Sequence, residues 1–491
     1  MRWSMVQVAE ALGVPLPAGL DPMARLAGVS IDSRTVQPGE LFLAIRGPRH
    51  DGHDHLAAAL AKGASAGLVA QDRFASYPEE IRKKLFVVGD TLRALQDLAR
   101  KYCEKWREEK SGRRVAAVTG SAGKTTTKEI LAALLAARMR VLKSEGNLNN
   151  EYGLPLTLFR LGEEHDAAVV ELGMSRRGEL ARLAAIARPD VGVVTNVAAV
   201  HLEFFSSVDE IALAKRELIE GLGGKDPVAV LNADDARVSR FAEIFRGRVH
   251  YFGQSERADF RARSIASKGI EGSVFEFESP YGKARLELPL VGAHNVLNSV
   301  AALAAASEWG IGAAEAKLVF PHLRPSSLRG EIIHFTEGFV VINDSYNSNP
   351  LALERMVDLL CATPGYRRRI LVAGAWREIG PTSAELHRHA GFHAANKKRI
   401  DWILGVEGDA RELVQGAIAA GHPNDRTGFF ESSEDAGKFL SQFVSEGDLL
   451  LVKGSRGVHM EKILEAIEAK HARAGAEPAG DSVEAGRKGP S

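Results

Sequence analysis

The sequence predicts an α/β protein of three domains, and three observations say so. The chain has 491 residues, too many for one ordinary core, and length alone suggests roughly three domains. The apolar run Val115-Ala-Ala-Val-Thr enters the glycine-rich turn Gly120-Ser-Ala-Gly123 and leaves it through Lys124-Thr-Thr-Thr-Lys-Glu-Ile130. Beyond it, short apolar runs alternate with helical stretches, the pattern of parallel sheets wound with helices.

The first segment, 1–110, ends in the charged helix Lys101–Lys110 and is closed by Ser111-Gly112. The second, 111–324, opens with the run above and carries buried-strand patterns at Ala167–Leu172, Val191–Val194 and Val228–Leu231, apolar on both faces as parallel strands are. It closes around Pro321–Pro325. The third, 325–470, has apolar runs at Val340–Ile342, Ile370–Ala373, Trp402–Gly405 and Leu449–Val452. A central phosphate-loop-type doubly wound sheet, a Rossmann-like third domain and a smaller α/β first domain are therefore expected. The stretch 471–491 is rich in Gly, Ala, Pro and charge without an apolar period, and reads as a disordered tail.

Composition narrows the class. Hydrophobic residues make up 45% and charged residues 26%, as in globular domains. The formal net charge is +0, which speaks against a nucleic-acid or membrane-surface partner. No apolar stretch is long enough to span a bilayer, and Met1–Glu10 lacks the apolar segment of a signal peptide. Cys103 and Cys361, the two cysteines, lack metal-site spacing and suit a reducing cytoplasm.

The strand–turn–helix run builds an anion site. Amides of the turn and of the helix N-terminus point at a phosphate, and the helix dipole favours its charge. The longer loop pattern G-x-x-x-x-G-K-[ST] is incomplete, because Val118 holds the place of its first Gly. Gly120, Ser121, Ala122, Gly123, Lys124, Thr125 and Thr126 are the expected ATP contacts. Lys124 reaches the phosphates and the Thr125 hydroxyl holds Mg²⁺.

Glu171 ends a strand pattern, where a carboxylate serves either as a Mg²⁺ ligand or as a helix-capping or salt-bridged residue. His201, just past another strand, is a metal or phosphate contact or a structural histidine. Lys215 falls on the apolar face of a helix opened by Ser207-Val-Asp-Glu210, with Ile211, Leu218 and Ile219 beside it. It either snorkels to water or is a buried, paired or modified lysine; carbamylation would give it a carboxylate head for a second Mg²⁺. Gly146-Asn-Leu-Asn-Asn150 is a turn, or a polar substrate contact through Asn147 and Asn150.

Taken together these motifs resemble the Mur ligases, the ATP-dependent amino-acid and peptide ligases of bacterial cell-wall synthesis. The resemblance covers nearly the whole chain, tail excepted. It rests on Thr119-Gly-Ser-Ala-Gly-Lys-Thr125, Gly146-Asn-Leu-Asn-Asn150, Glu171-Leu-Gly173, Thr195-Asn-Val with His201, Ala214-Lys-Arg-Glu217, Gly292-Ala-His-Asn-Val-Leu-Asn298, Arg329-Gly330, Asp344-Ser-Tyr-Asn-Ser-Asn-Pro350 and Lys453-Gly-Ser-Arg456, all in order.

The resemblance implies a UDP-sugar domain at 1–110, an ATP domain at 111–324 and a ligase domain at 325–470. It implies that Lys124 and Thr125 bind phosphates and the first Mg²⁺ with Glu171, that His201 and carbamylated Lys215 hold the second, and that Asn295 and Arg329 contact the nucleotide. Asp344 would stand near the ATP, and Ser33 and Arg34 in the UDP pocket. The motif Asp344–Pro350, with Ile31-Asp-Ser-Arg34, Pro38-Gly-Glu-Leu-Phe42 and Asp51-Gly-His53, implies UDP-N-acetylmuramoyl-tripeptide and D-Ala-D-Ala as substrates, joined by a monomer through an acyl phosphate. Another ligase of the family, a folylpolyglutamate synthase, or a nucleotide-binding relative without catalysis are the alternatives. One departure stands out. The family's Gly-Asp-Met-x-Glu-Leu-Gly reads Gly374-Ala-Trp-Arg-Glu-Ile-Gly380 here, so Ala375 supplies no carboxylate.

Overall fold

The computed structural model describes residues 3–47, 50–200 and 203–475. They form two compact units, one of residues 1–267, 272–289 and 293–323, the other of 268–271, 290–292 and 324 onward. Three sheets lie within them, of four, nine and six strands.

In the first unit, the strands Gly28–Ser30, Glu40–Leu43, Ala66–Ala70 and Leu85–Val88 form a parallel sheet in chain order. The helix Thr91–Glu109 follows, its N-terminus capped by Asp90, whose carboxylate accepts from Leu92 and Arg93 amides. Leu95, Leu98, Tyr102 and Trp106 on its buried face share one core with residues of the second sheet. Tyr102 and Trp106 also donate to the carbonyls of Leu161 and Gly162, at 2.8 and 3.0 Å. That shared helix is why the first two sheets make one unit.

In the nine-stranded sheet the strand Arg114–Thr119 lies between Ala167–Glu171 and Val191–Val194, parallel to both. Chain order reverses there, and in such sheets ligands bind at the carboxyl ends beside the reversal. All five residues of Ala167–Glu171 are buried, as its unbroken apolar run requires. Val141–Lys143 extends one side and Val228–Asn232 and Arg248–Gly253 the other. Phe260–Ser267 pairs parallel, and Ser273–Ser279 with Gly282–Leu288 completes the sheet antiparallel.

The second unit's sheet runs Glu331–His334, Val340–Asp344, Asp448–Lys453, Arg368–Gly374, Trp402–Val406 and Thr427–Phe430, antiparallel only at its first pair. Helices cover both faces, burying Ile342 and Leu371 on one side and Val341 and Val372 on the other. Two of the helices, Ser383–Asn396 and Ala410–Ala419, approach through paired glycines. A Cβ on Gly391 would lie 1.8 Å from the Leu413 carbonyl oxygen, and one on Gly416 2.0 Å from that of Arg388.

The expectation of a tail beginning at His471 is corrected by the structure. His471 donates to the Ser441 carbonyl at 2.8 Å, Thr336 donates to the Ala472 carbonyl and Ala474 to that of His334. Backbone pairing along an edge strand needs no apolar period, so composition was blind to it. The remainder, 476–491, lies outside the described residues. Among the described residues no helix is long and apolar enough to cross a membrane.

The glycine pairing predicts that Gly391→Ala pushes the two helices apart, at a cost of about 1–3 kcal/mol. Its thermal melt should fall by several degrees against the unsubstituted protein; an unchanged melt would mean that the contact is loose.

Candidate active site

The strand Arg114–Thr119 ends in a turn that only glycine can make. Gly120 has φ +151° and Gly123 φ +84°; a Cβ on the first would sit 1.8 Å from Thr195 Oγ1, and on the second 2.3 Å from Asn298 Oδ1. The turn is held from the neighbouring strand end. Ser121 N–H donates to the Asn196 carbonyl at 2.9 Å and Ala122 N–H to Asn196 Oδ1 at 3.0 Å, while Thr195 Oγ1 donates to the Ala122 carbonyl at 2.6 Å. The helix Lys124–Ala136 then opens without a side-chain cap. Its first-turn amides and dipole are thus offered to an anion, with Thr126 half-buried on that turn. Lys124 Nζ folds back onto the Gly120 carbonyl at 2.8 Å, within the turn it would serve.

Glu171, only 3% exposed, comes up from the adjacent strand. Its Oε2 accepts from Thr125 Oγ1 at 2.6 Å and its Oε1 from Asn149 Nδ2 at 2.8 Å. Among the described residues no Lys or Arg pairs with it. A buried carboxylate beside a hydroxyl, with no cation of its own, is a donor set that suits Mg²⁺. Mg²⁺ keeps waters and needs one or two protein oxygens beside substrate phosphates, so the absence of a cage of three or more His, Cys, Asp or Glu among the described residues is compatible with it.

Glu171 is itself positioned. Its N–H donates to Ser144 Oγ at 3.1 Å, and the Ser144 carbonyl accepts from Lys128 Nζ at 2.6 Å. Lys128 is 1% exposed and lies on the phosphate-loop helix, so loop and carboxylate are tied through it.

Lys215 sits on the helix Val208–Glu220, whose N-cap Ser207 accepts from the Glu210 amide. It is 2% exposed, so it does not snorkel. Burial, and then the charge of Lys124, push its amine well below the usual lysine range. Among the described residues no carboxylate pairs with it. His201 lies outside the described residues.

Asn295 is buried and its Oδ1 accepts from Asn298 Nδ2 at 2.9 Å; Asn298 is the residue against Gly123. The asparagine segment divides otherwise than expected. Asn147 is exposed, and among the described residues only its carbonyl is engaged, by the Asn149 amide. Asn150 Oδ1 accepts from Tyr152 and Gly153 amides, so it builds the following turn. Asn149 is the one that faces Glu171, and it was missed, as were Asn196 and Lys128; runs of adjacent asparagines do not reveal which side chain turns inward.

In the four-stranded sheet region, Arg34 is exposed and clasps Asp32 with two nitrogens, Nε at 3.0 Å and Nη2 at 2.7 Å. That bond holds the Asp32 carboxyl down to about 2. Ser33, half-buried, offers its carbonyl to Lys62 Nζ at 3.0 Å. In the second unit, Asp344 ends its strand and accepts from the buried Lys453 Nζ at 2.6 Å. Arg329 lies with its guanidinium 4.0 Å from the Tyr346 ring centre. Ala375 and Trp376 are both buried, and no carboxylate stands where the family pattern has one.

The cradle predicts the effect of one methyl group. Gly123→Ala places a Cβ on a left-handed residue and against Asn298, so nucleotide affinity should fall by more than about tenfold, read by calorimetric titration with ADP. Unchanged affinity would mean that the turn does not hold the phosphates.

Residues 25–103 match the Mur ligase family catalytic domain, 118–306 the Mur ligase middle domain and 328–456 the Mur ligase glutamate ligase domain. The chain is 32% identical to the UDP-N-acetylmuramoyl-tripeptide–D-alanyl-D-alanine ligase of Bacillus subtilis over 90% of its length and 93% of the relative. It is 34% identical to the Escherichia coli enzyme of that name, over 90% and 94%. Among solved structures, MurF from Acinetobacter baumannii superposes with a TM-score of 0.83 at 28% identity, covering 96% and 99% of the two chains. MurF ligase from Thermotoga maritima, in complex with ADP, gives 0.77 at 29%, covering 90% and 97%. Three successive domain matches and full-length relatives above 30% identity leave one conclusion: this chain belongs to the Mur ligase family.

Proposed function

We propose that this protein joins D-alanyl-D-alanine to UDP-N-acetylmuramoyl-tripeptide, with ATP cleaved to ADP and phosphate. The reading is carried by one observation above the rest. Relatives bearing that activity in their names match the chain nearly end to end, and the phosphate cradle they would need is present, with Thr125 and Glu171 2.6 Å apart.

Amide formation from a free carboxylate is uphill in water, so the carboxylate must be activated. The tripeptide's terminal carboxylate attacks the γ-phosphorus of ATP in line; an acyl phosphate forms and ADP leaves. The dipeptide's amine then attacks the acyl carbon and phosphate departs. Gly120 to Thr126 cradle the phosphates, and Lys124, released from the Gly120 carbonyl, spreads its charge over the transferring group. Mg²⁺ at Thr125 and Glu171 supplies further charge neutralisation when bound, and Asn149 orients that carboxylate.

Lys215 has the properties of a lysine that takes up carbon dioxide: it is buried, neutral-leaning and without a carboxylate partner among the described residues. Carbamylated, it would join His201 in holding a second Mg²⁺. Asn295 and Arg329 are assigned to the nucleotide, Ser33 and Arg34 to the UDP end, and Asp344, its charge fixed by Lys453, to the reacting groups. Of the asparagine segment we assign Asn147 to the substrate and leave Asn150 its turn. Residues 1–110, 111–324 and 325–470 are assigned to UDP-sugar, ATP and dipeptide respectively, in a cytoplasmic monomer. Nucleotide binding without ligation is the second reading, and Ala375 is the observation that favours it.

Lys124→Ala should leave the fold intact, by circular dichroism, and cut kcat/KM for dipeptide-dependent ADP release at least about a thousandfold (~4 kcal/mol). Full turnover by the folded variant would remove the phosphate loop from the mechanism. Lys215→Ala should be nearly inactive and partly restored by millimolar short carboxylic acids, which replace the lost carboxylate head. Normal turnover without Lys215, or no response to any acid, would count against carbamylation.

A further inference from the structure

The departure Ala375-Trp376 carries an observation that core packing does not account for. Trp376, 4% exposed, sends its indole Nε1–H to Ser348 Oγ at 3.0 Å, and Ser348 is itself 6% exposed. The ring lies nearly face to face with that of His387, centroids 4.1 Å apart and planes at 28°. The Trp376 backbone N–H donates to His387 Nε2 at 3.1 Å, while His387 Nδ1 lies 2.7 Å from the Ser383 carbonyl. A carbonyl only accepts, so the proton is on Nδ1 and the Nε2 lone pair is fixed toward Trp376. Both the plane and the edge of the indole are thus set before it meets Ser348.

Ser348 belongs to the loop 345–349, which follows Asp344 at the end of its strand. Lys453 anchors it as well, its Nζ donating to Asp344 Oδ2 at 2.6 Å and to the Asn347 carbonyl at 2.9 Å. Tyr346 N–H donates to the Leu328 carbonyl at 3.0 Å, and Asn349 caps the helix Pro350–Ala362. A Met or Leu at 376 would fill volume but offer no donor. The indole offers one donor and directs it at the loop.

We propose that Trp376 is a positioning residue of the ligase reaction. With Lys453 it clamps the loop 345–349 from its far end, so that the orientation of Asp344 depends on the Trp376–Ser348 hydrogen bond. This rests on the ligase reading for its catalytic consequence, and on the C-terminal unit alone for its structural one.

The test uses Ser348→Ala, which removes only the hydroxyl that accepts the bond, Trp376→Phe, which keeps an aromatic ring but loses the N–H together with part of the indole, and the double variant. The expected result is a kcat for dipeptide-dependent ADP release lowered about tenfold in each single variant, with KM for ATP unchanged. The double variant should be no worse than Trp376→Phe alone, because the two side chains make one bond. Amide exchange at Tyr346, followed by hydrogen–deuterium exchange without substrates, should quicken in each. A purely structural tryptophan would lower the melting temperature and leave kcat per folded enzyme untouched, and that overturns the proposal. So do multiplying effects in the double variant, or unchanged exchange at Tyr346. If the parent enzyme shows no dipeptide-dependent ADP release, the ligase reading fails separately, and the exchange experiment alone decides whether Trp376 clamps the loop.

Discussion

The candidate site of the first unit is built around one buried carboxylate that has no cation beside it among the described residues. Glu171 is held by two hydrogen bonds, one from Thr125 and one from Asn149, and by nothing positive among the described residues. Burying a charge without a counter-charge is costly, and here the arrangement makes sense as a place kept for a metal bound to phosphates. The surrounding design follows from it. Lys128 and Ser144 hold the Glu171 backbone, the phosphate-loop helix carries both Thr125 and Lys128, and Asn196 and Thr195 hold the turn from the next strand.

Lys215 is the complementary oddity, a buried cation-former without a carboxylate partner among the described residues. Placed where Lys124 is felt electrostatically, it is driven toward the neutral amine, the form that reacts with carbon dioxide. Under the proposed function, a site that among the described residues keeps Glu171 without a cation and Lys215 without an anion is organised around charges brought by substrates and metals. In the second unit the balance is internal instead: Asp344 has Lys453, and the loop that follows is fixed at its other end by Trp376.

Much of this was legible in the chain. Fully buried parallel strands announce themselves as unbroken apolar runs, and those at Val191–Val194 and Trp402–Val406 lie within a residue of where hydrophobicity places them. Glycines at Gly120 and Gly123 mark the phosphate turn, because no other residue tolerates both the dihedrals and the closeness of Thr195 and Asn298. Three things were not legible. The helix Thr91–Glu109 looks like the end of a domain, yet its aromatic face packs into the next sheet's core, and only three-dimensional contact reveals that. The antiparallel strands Ser273–Ser279 and Gly282–Leu288 bury one face only, so their apolar residues (Phe275, Phe277, Leu286 and Leu288) alternate with charged ones and form no unbroken apolar run. Within Gly146–Asn150, chemistry alone gave each asparagine equal claim, and it is the turn geometry that points Asn149 at Glu171 and spends Asn150 on the helix that follows.

The most direct test supplies UDP-N-acetylmuramoyl-tripeptide carrying heavy oxygen in its terminal carboxylate, with Mg-ATP, and compares phosphate released with and without D-Ala-D-Ala. The account predicts phosphate release that depends on the dipeptide, one heavy oxygen in each phosphate, and a matching amount of pentapeptide. Dipeptide-dependent release of unlabelled phosphate would contradict the acyl-phosphate route, and no release despite ATP binding would contradict ligation itself.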